Sequence, residues 1–275
     1  MALCVFIQCL EIMDDFNVQN SNAVGSGGIQ GANITNSNVH QLIINMQGRG
    51  RRFSESYQKI KRIGTGTFGD VWKVKSKHVF GSEDIEFVMK EIRCCDQDGN
   101  AEIEILKQCS HDNIVQYVES FDEEEKISIV MEFCRGGDLM QFIEKRKPNN
   151  YLSEFKVIDF FKQITKGTAY IHCKKILHRD LKPSNIFISS EQNLKIGDFG
   201  ISKKHNNTMS MANTLVGTNI YKAPEIHGSM PYNEKADIWA LGCILYELAT
   251  LQPAFSGHTF LLSIMQVFDS KILHH

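Results

Sequence analysis

His178-Arg179-Asp180-Leu181-Lys182-Pro183-Ser184-Asn185 decides the fold, together with the stretch just after it. Next come Ile186-Phe187-Ile188, a polar turn, Leu194-Lys195-Ile196 and Asp198-Phe199-Gly200. Two short apolar runs around a polar turn are the pattern of a β-hairpin. A hairpin there folds Asp180 and Asn185 back beside Asp198. Asp198 and Asn185 then offer side-chain oxygens of the kind that hold a hard cation such as Mg2+.

Upstream, Gly64-Thr65-Gly66-Thr67-Phe68-Gly69 has the spacing G-x-G-x-x-G. A dinucleotide fold needs a long helix after such glycines. Here Val71-Trp72-Lys73-Val74 comes next and reads as a second strand. A glycine turn between strands lets backbone N–H groups approach phosphates closely, because no Cβ intervenes. In Ile85-Glu86-Phe87-Val88-Met89-Lys90, period two puts Ile85, Phe87 and Met89 on one face and Val88 with Lys90 on the other. A branched apolar residue beside a lysine suits an adenine ring beside a phosphate. Such a lysine needs a carboxylate to fix it. Glu102 and Glu104 are the candidates, on a helix expected to start near Asn100. Glu102 shares its face with Leu106 at i+4, whereas Glu104 points elsewhere, so Glu102 is the choice.

Composition bounds the rest. The chain has 275 residues, 42% of them hydrophobic, enough for two lobes with a core. Lys+Arg 30 against Asp+Glu 32 leaves a net charge of -2, so no global basic field calls for nucleic acid. The eight cysteines show neither C-x-x-C spacing nor clustering with histidine, which fits buried thiols in a reducing compartment. The apolar start, Leu3 to Leu10, lacks a basic flank and runs into Asp14-Asp15, so no signal peptide is read. Ala236–Leu251 carries Asp237 and Glu247 and is short for a bilayer, so it reads as a core helix. No membrane partner is expected, and the location reads as cytoplasmic, with the nucleus open.

Residues 17–50 are dominated by Asn, Gln, Ser and Gly, with Arg49 the only charged residue among them. Such a stretch buries too little to fold alone. Val39 to Met46, with Leu42-Ile43-Ile44, also suits cross-β stacking, so self-association is the second reading. From Tyr57 to Phe133 short alternating runs predict an antiparallel sheet. After Ser153, an expected N-cap, Val157, Phe161, Ile164 and Ile171 fall near one helical face.

Taken in order, GTGTFGDV, VMK, an acidic helix residue, HRDLKPSN, DFG, Ala223-Pro224-Glu225 and Asp237 in DIWALG resemble a eukaryotic protein kinase from about Tyr57 onward. The resemblance implies an α+β, bilobal protein kinase fold. Residues 1–56 would be a largely disordered tail and 57–275 a kinase domain, with a β-rich N-lobe at 57–133 and a helical C-lobe at 134–275. It also implies the cofactors ATP and Mg2+. Asp180 would orient a hydroxyl and accept its proton, Lys182 would neutralise the migrating phosphoryl group, and Lys90 with Glu102 would hold phosphates. Asn185 and Asp198 would bind the metal. Ile63, Gly64, Thr65, Gly66, Thr67, Phe68 and Gly69 would cover the nucleotide. Val71, Val88 and Phe187 would sandwich the base, which the backbone of Glu132-Phe133-Cys134 would bind. Met131 would guard the back pocket and Asp138 would reach the ribose. A column of Leu106, Tyr117, His178 and Phe199 would be anchored by Asp237.

Lys182 and Thr218 resemble the Ser/Thr class, whose substrates are proteins. Kinases with Arg before the catalytic Asp, here Arg179, are usually switched by a loop phosphate, for which Thr214 is the first candidate and Ser210 the second. Two subfamilies compete. KIGDFGISK, Met211-Ala212-Asn213-Thr214 and DIWALGCILYEL with Pro253-Ala254-Phe255 look like NIMA-related kinases. Met131–Cys134, Ile143–Arg146 and HRDLKPSNIF are similar to kinases of translation initiation factor two alpha, as is the short Lys90-to-Glu102 interval. The balance leans to the first. That interval leaves little room for a helix before Glu102, so a loop over Asp96 to Asn100 and a looser Lys90–Glu102 pair are expected. Twenty residues after Phe255 are few for the usual helices, including the Arg that pairs with Glu225, so the C-lobe reads as truncated. An active kinase is therefore weighed against an ATP-binding regulatory module without transfer, and against an assembly protein driven by the tail.

Overall fold

Tyr57 starts the ordered sheet because its ring has somewhere apolar to go. The computed structural model describes residues 52–66, 69–77, 85–93, 98–123, 126–148, 150–199, 219–227 and 233–255. They divide into two units.

The smaller unit opens with α1 (Phe53–Ser56) and continues through β1 (Tyr57–Gly66), β2 (Gly69–Ser76), β3 (Glu86–Arg93), α2 (Asp98–Gln108), β4 (Tyr117–Glu123) and β5 (Lys126–Glu132). The five strands form one antiparallel sheet in the order β1-β2-β3-β5-β4. Period two sends Val74, Phe87, Met89, Phe121 and Val130 to one face, where they bury with Tyr57, and the register irregularity between Tyr117 and Glu119 adds Val118 to them. The Tyr57 hydroxyl donates to Glu119 Oε1 at 2.6 Å, which satisfies the polar end of a buried ring. Burial, with Glu119 beside it, pushes the phenol well above its ordinary range.

The four residues before Tyr57, expected from the sequence to end the disordered tail, fold onto this sheet. Phe53 stacks on Tyr57 at 5.7 Å and meets Phe121 edge-on at 5.7 Å. Its N–H donates to Glu123 Oε1 at 2.9 Å, and Lys77 N–H donates to the Ser56 carbonyl at 2.9 Å. A second expectation is also corrected. The helix carrying Glu102 begins at Asp98, so Asp98-Gly99-Asn100 is helix and not loop.

The larger unit contains α3 (Leu139–Glu144), α4 (Glu154–Cys173), a 3-10 turn at Pro183–Asn185, β6 (Ile186–Ile188), β7 (Leu194–Ile196), a second 3-10 turn at Asn219–Tyr221, α5 (Pro224–His227) and α6 (Lys235–Thr250). Ser153 caps α4, its hydroxyl accepting from Lys156 N–H at 3.3 Å. Val157, Phe161, Ile164 and Ile171 are all buried, as the 3.6-residue period predicts. The β6–β7 hairpin forms in the expected place. Helix α6 is a core helix with Ala240, Leu241, Ile244 and Leu248 buried. Among the described residues no helix is long and apolar enough to cross a membrane. Among the described cysteines, Cys109, Cys134 and Cys243 are buried and Cys173 is exposed.

This unit also takes in His111–Ile114, a strap that precedes β4 in sequence. Ile196 N–H donates to the Asn113 carbonyl at 2.9 Å, and the Asn113 amide donates to the Leu194 carbonyl at 2.9 Å. Gly167 of α4 allows this approach. A Cβ there would lie 2.7 Å from the Asn113 carbonyl and 2.9 Å from Ile196 Cδ1. Gly167→Ala should therefore lower stability by about 1–3 kcal/mol, although alanine gains about 1 kcal/mol in helix propensity. Urea unfolding measures this, and an unchanged midpoint would remove the strap's steric constraint.

Candidate active site

In the smaller unit the strand register assembles one face opposite the Phe87–Met89 core. Gly64, Val71, Lys90 and Ile129 stand in one transverse row; Lys73, Val88, Met131 and Tyr117 stand in the next. Lys90 Nζ donates to both carboxylate oxygens of Glu102, each at 2.9 Å. The Glu102 side chain is 3% exposed and that of Lys90 11%. Removing these charges from water is costly, and the two-oxygen contact offsets that cost. The pair is thus firmly made, contrary to the looser one expected from the short interval. The interval suffices because α2 starts early, which brings Ile103 and Leu106 into the core with Glu102. Glu104 lies on the solvent side and pairs with Lys107 at 3.2 Å.

Gly69 stands at φ +139, and a Cβ on it would fall 1.6 Å from the Glu91 carbonyl. Only glycine can bring this turn against β3. Glu132 is committed to Gln116: its N–H donates to the Gln116 carbonyl at 3.0 Å, and its carboxylate accepts from Gln116 N–H at 2.7 Å. A base recognised along Glu132-Phe133-Cys134 must use other backbone groups. Phe133 lies under the Lys73 amine, 4.9 Å from the ring centre, and Lys73 also pairs with Glu86 at 2.6 Å. Met131 and Cys134 are buried, while Ile63 is exposed on β1.

In the larger unit the organiser is Asp237, near the start of α6. Its Oδ2 accepts from His178 N–H at 2.9 Å and contacts His172 Nε2 at 2.8 Å, and its Oδ1 accepts from Arg179 N–H at 2.8 Å. Burial alone would raise this carboxyl's pKa. The His172 and backbone hydrogen bonds, with the His178 ring nearby, outweigh burial and hold it below the usual carboxylate range. With the His178–Arg179 backbone clamped, Arg179 takes φ +69 and the chain turns to present Asp180.

Asp180 Oδ2 accepts from Lys182 Nζ at 2.7 Å and from Asn185 Nδ2 at 3.0 Å. The same Asn185 nitrogen reaches the Asp180 carbonyl at 2.9 Å. Both donations commit the amide nitrogen and leave Oδ1 as the group that can face a ligand. The Asn185 carbonyl accepts from Gly197 N–H at 3.0 Å, which draws the residue before Asp198 against the loop. Asp198 stands at φ +58 with an exposed side chain. The His178 ring joins the two stretches. Its Nδ1 accepts from Asp180 N–H at 3.4 Å, its Nε2 is 3.1 Å from the Gly197 carbonyl, and it sits 5.1 Å from the Phe199 ring.

Phe187 of β6 pairs with Asp138 across an isolated antiparallel bridge. Asp138 also caps α3, its Oδ1 accepting from Gln141 N–H at 2.8 Å. Among the described residues there is no cluster of three or more His, Cys, Asp or Glu side chains that could hold a metal. Mg2+ does not need one. It is commonly held by one or two protein oxygens, with phosphates and waters supplying the rest. The Asn185 amide oxygen and the Asp198 carboxylate are hard donors of that kind, so the residues fit Mg2+ delivered with a phosphate ligand. Thr67, Phe68, Ser210 and Thr214 lie outside the described residues.

Sequence reasoning missed His172, which completes the Asp237 cluster. It also missed the pair that Tyr221 makes with Glu247. There the hydroxyl donates to Glu247 Oε2 at 2.5 Å with both groups buried. Burial pushes the Glu247 carboxyl up, despite the Tyr221 hydrogen bond.

A family model described as a protein kinase domain matches residues 57–273. The chain is 43% identical over 223 residues to serine/threonine-protein kinase Nek1 of Mus musculus. It is 41% identical over 221 residues to Nek5 and 39% over 221 residues to Nek3 of the same organism. Each alignment covers 79% of this chain but only 18%, 34% and 42% of the relative, so the chain spans less than half of each. These relatives bear out the leaning to NIMA-related kinases over the initiation-factor kinases.

Two substitutions test the electrostatics. Asp237→Asn leaves its donors facing an amide and should cost about 3–5 kcal/mol near neutral pH. A depressed carboxyl contributes stability above its unfolded pKa and loses it as pH falls through the folded value. The gap between variant and wild type should therefore narrow below about pH 4. Glu247 has the opposite sign. A raised carboxyl disfavours the folded state once pH exceeds its unfolded pKa. Glu247→Gln, which keeps an acceptor for Tyr221, should gain stability relative to wild type as pH rises above about 4, the range of an unfolded carboxylate. Denaturation across pH checks both slopes.

Proposed function

The chain belongs to the protein kinase family, and from that membership we propose that it is an ATP-dependent serine/threonine kinase acting on proteins. The observation that carries the reading is the Asp180–Lys182–Asn185 cluster. One carboxylate oxygen is held by an amine and an amide, on a loop fixed by the buried Asp237. In this reading Asp180 orients the acceptor hydroxyl and takes its proton as the oxygen–phosphorus bond forms. Lys182 offsets the negative charge that builds on the transferring phosphoryl group. Lys90, kept in place by Glu102, holds the nucleotide's phosphates. Gly64, Thr65, Gly66, Thr67, Phe68 and Gly69 bring backbone N–H groups to them, and Asn185 and Asp198 supply oxygens to Mg2+. Bound Mg·ATP supplies the phosphoryl group and the divalent charge that neutralises it. In the same reading Ile63, Val71, Val88, Met131, Cys134 and Phe187 serve the base, and Asp138 the ribose.

Several finer readings go with this. Residues 57–275 act as the kinase domain. The Asn-rich segment ahead of it mediates self-association. Phosphate on Thr214, or secondarily Ser210, pairs with Arg179. The location is the cytoplasm or nucleus, a reducing setting that suits the buried Cys109, Cys134 and Cys243.

The test is transfer of γ-phosphate to a generic protein acceptor by the purified chain. Asp180→Asn should lower the rate by about 10²–10⁴-fold. Thermal stabilisation by Mg·ATP should persist in that variant, since the nucleotide contacts remain. Transfer that survives the substitution undiminished would refute the assignment.

A further inference from the structure

Ser54 lies in Arg51-Arg52-Phe53-Ser54, two guanidinium side chains two and three residues ahead of a hydroxyl. We propose that Ser54 is a phosphorylation site for a separate kinase that selects basic residues before its target, and that the phosphate fastens α1 to the sheet through Lys77. Protein kinases choose substrates by such charge patterns, a cationic stretch meeting a carboxylate-lined cleft. The structure separates the two serines of this segment. Ser56 is 3% exposed, whereas Ser54 faces solvent.

The backbone there is one short turn. Glu55 and Ser56 N–H both donate to the Arg52 carbonyl, at 3.1 and 3.3 Å. A single turn has little cooperative stability of its own, so a modifying kinase binds the segment extended by lifting Phe53 off Tyr57, Phe121 and Glu123. Once modified, the serine has a cation at hand. Lys77 Nζ already donates to the Ser54 carbonyl at 2.7 Å, within the same residue as the hydroxyl. A phosphoserine carries about −1.5 to −2 charges and three acceptor oxygens, enough to hold this amine more firmly than a carbonyl does. The reaction is ordinary phosphoryl transfer. Ser54 Oγ bonds to the γ-phosphorus of ATP, the bond from that phosphorus to the β–γ bridging oxygen breaks, ADP leaves, and the hydroxyl proton passes to the modifying enzyme's base.

The experiment uses the full chain carrying Asp180→Asn, so that its own transfer does not contribute. It is incubated with ATP and a purified kinase selective for Arg-Arg-x-Ser peptides, and phosphopeptides are mapped by mass spectrometry. Phosphate is expected on Ser54 and not on Ser56, at a rate at least about tenfold lower when Arg51 and Arg52 are both replaced by alanine. The phosphorylated chain should melt about 2 °C higher than the unmodified one, and Lys77→Met should cancel that gain. An unmodified Ser54, a rate indifferent to the arginines, or labelling of Ser54 without the added kinase would overturn the site assignment. A lowered melting temperature would overturn the role of Lys77.

Discussion

A buried carboxylate that accepts three hydrogen bonds holds the chemistry of the larger unit in place. Asp237 sits 2% exposed near the start of a helix whose buried face is mostly apolar, with Glu247 the other buried carboxylate on it. An isolated charge there would cost several kcal/mol. It is tolerated because His172 and the His178 and Arg179 N–H groups all face it. The dependence runs both ways. Those backbone N–H groups would be orphaned without an anion, and the turn at Arg179 has a positive φ that only an over-determined loop sustains. The position of Asp180 is set by that clamp, and those of Lys182 and Asn185 are set by Asp180.

The smaller unit uses the same physics in the Lys90–Glu102 pair. Both side chains are mostly withdrawn from water, and each offsets the other's charge. The pair joins β3 to α2, so the helix is placed by a charge contact as well as by Ile103 and Leu106. The two units therefore present charged side chains in fixed positions by different means, one through backbone donors to Asp237 and one through a two-oxygen ion pair.

Much of this was legible in the sequence, where local periodicity carries the signal. Choosing Glu102 over Glu104 needed only helical spacing. The β6–β7 hairpin, the Ser153 cap and the buried stripe of α4 needed only alternation and a polar residue at the right place. The features that escaped reading depend on contacts distant in sequence. His172 meets Asp237 across 65 positions, and Tyr221 meets Glu247 across 26. The start of α2 was misjudged because a run of Asp, Gly and Asn reads locally as a loop, while burial of Glu102, Ile103 and Leu106 extends the helix back through it. Folding of Phe53–Ser56 escaped for a related reason. Phe53 has no periodic partner in its own stretch, and its place is set by Tyr57 and Phe121.

The strap of His111–Ile114 changes how the polypeptide is tied together. It belongs with the larger unit, while the residues on either side of it belong with the smaller one. Among the described residues the backbone therefore passes between the units three times rather than once. A protease nick between Cys134 and Arg135 would cut only the last of these crossings. The strap would stay covalently part of the first fragment and hydrogen-bonded through Asn113 to β7 of the second. Limited digestion at that junction would leave a clipped particle that migrates as one species until denatured.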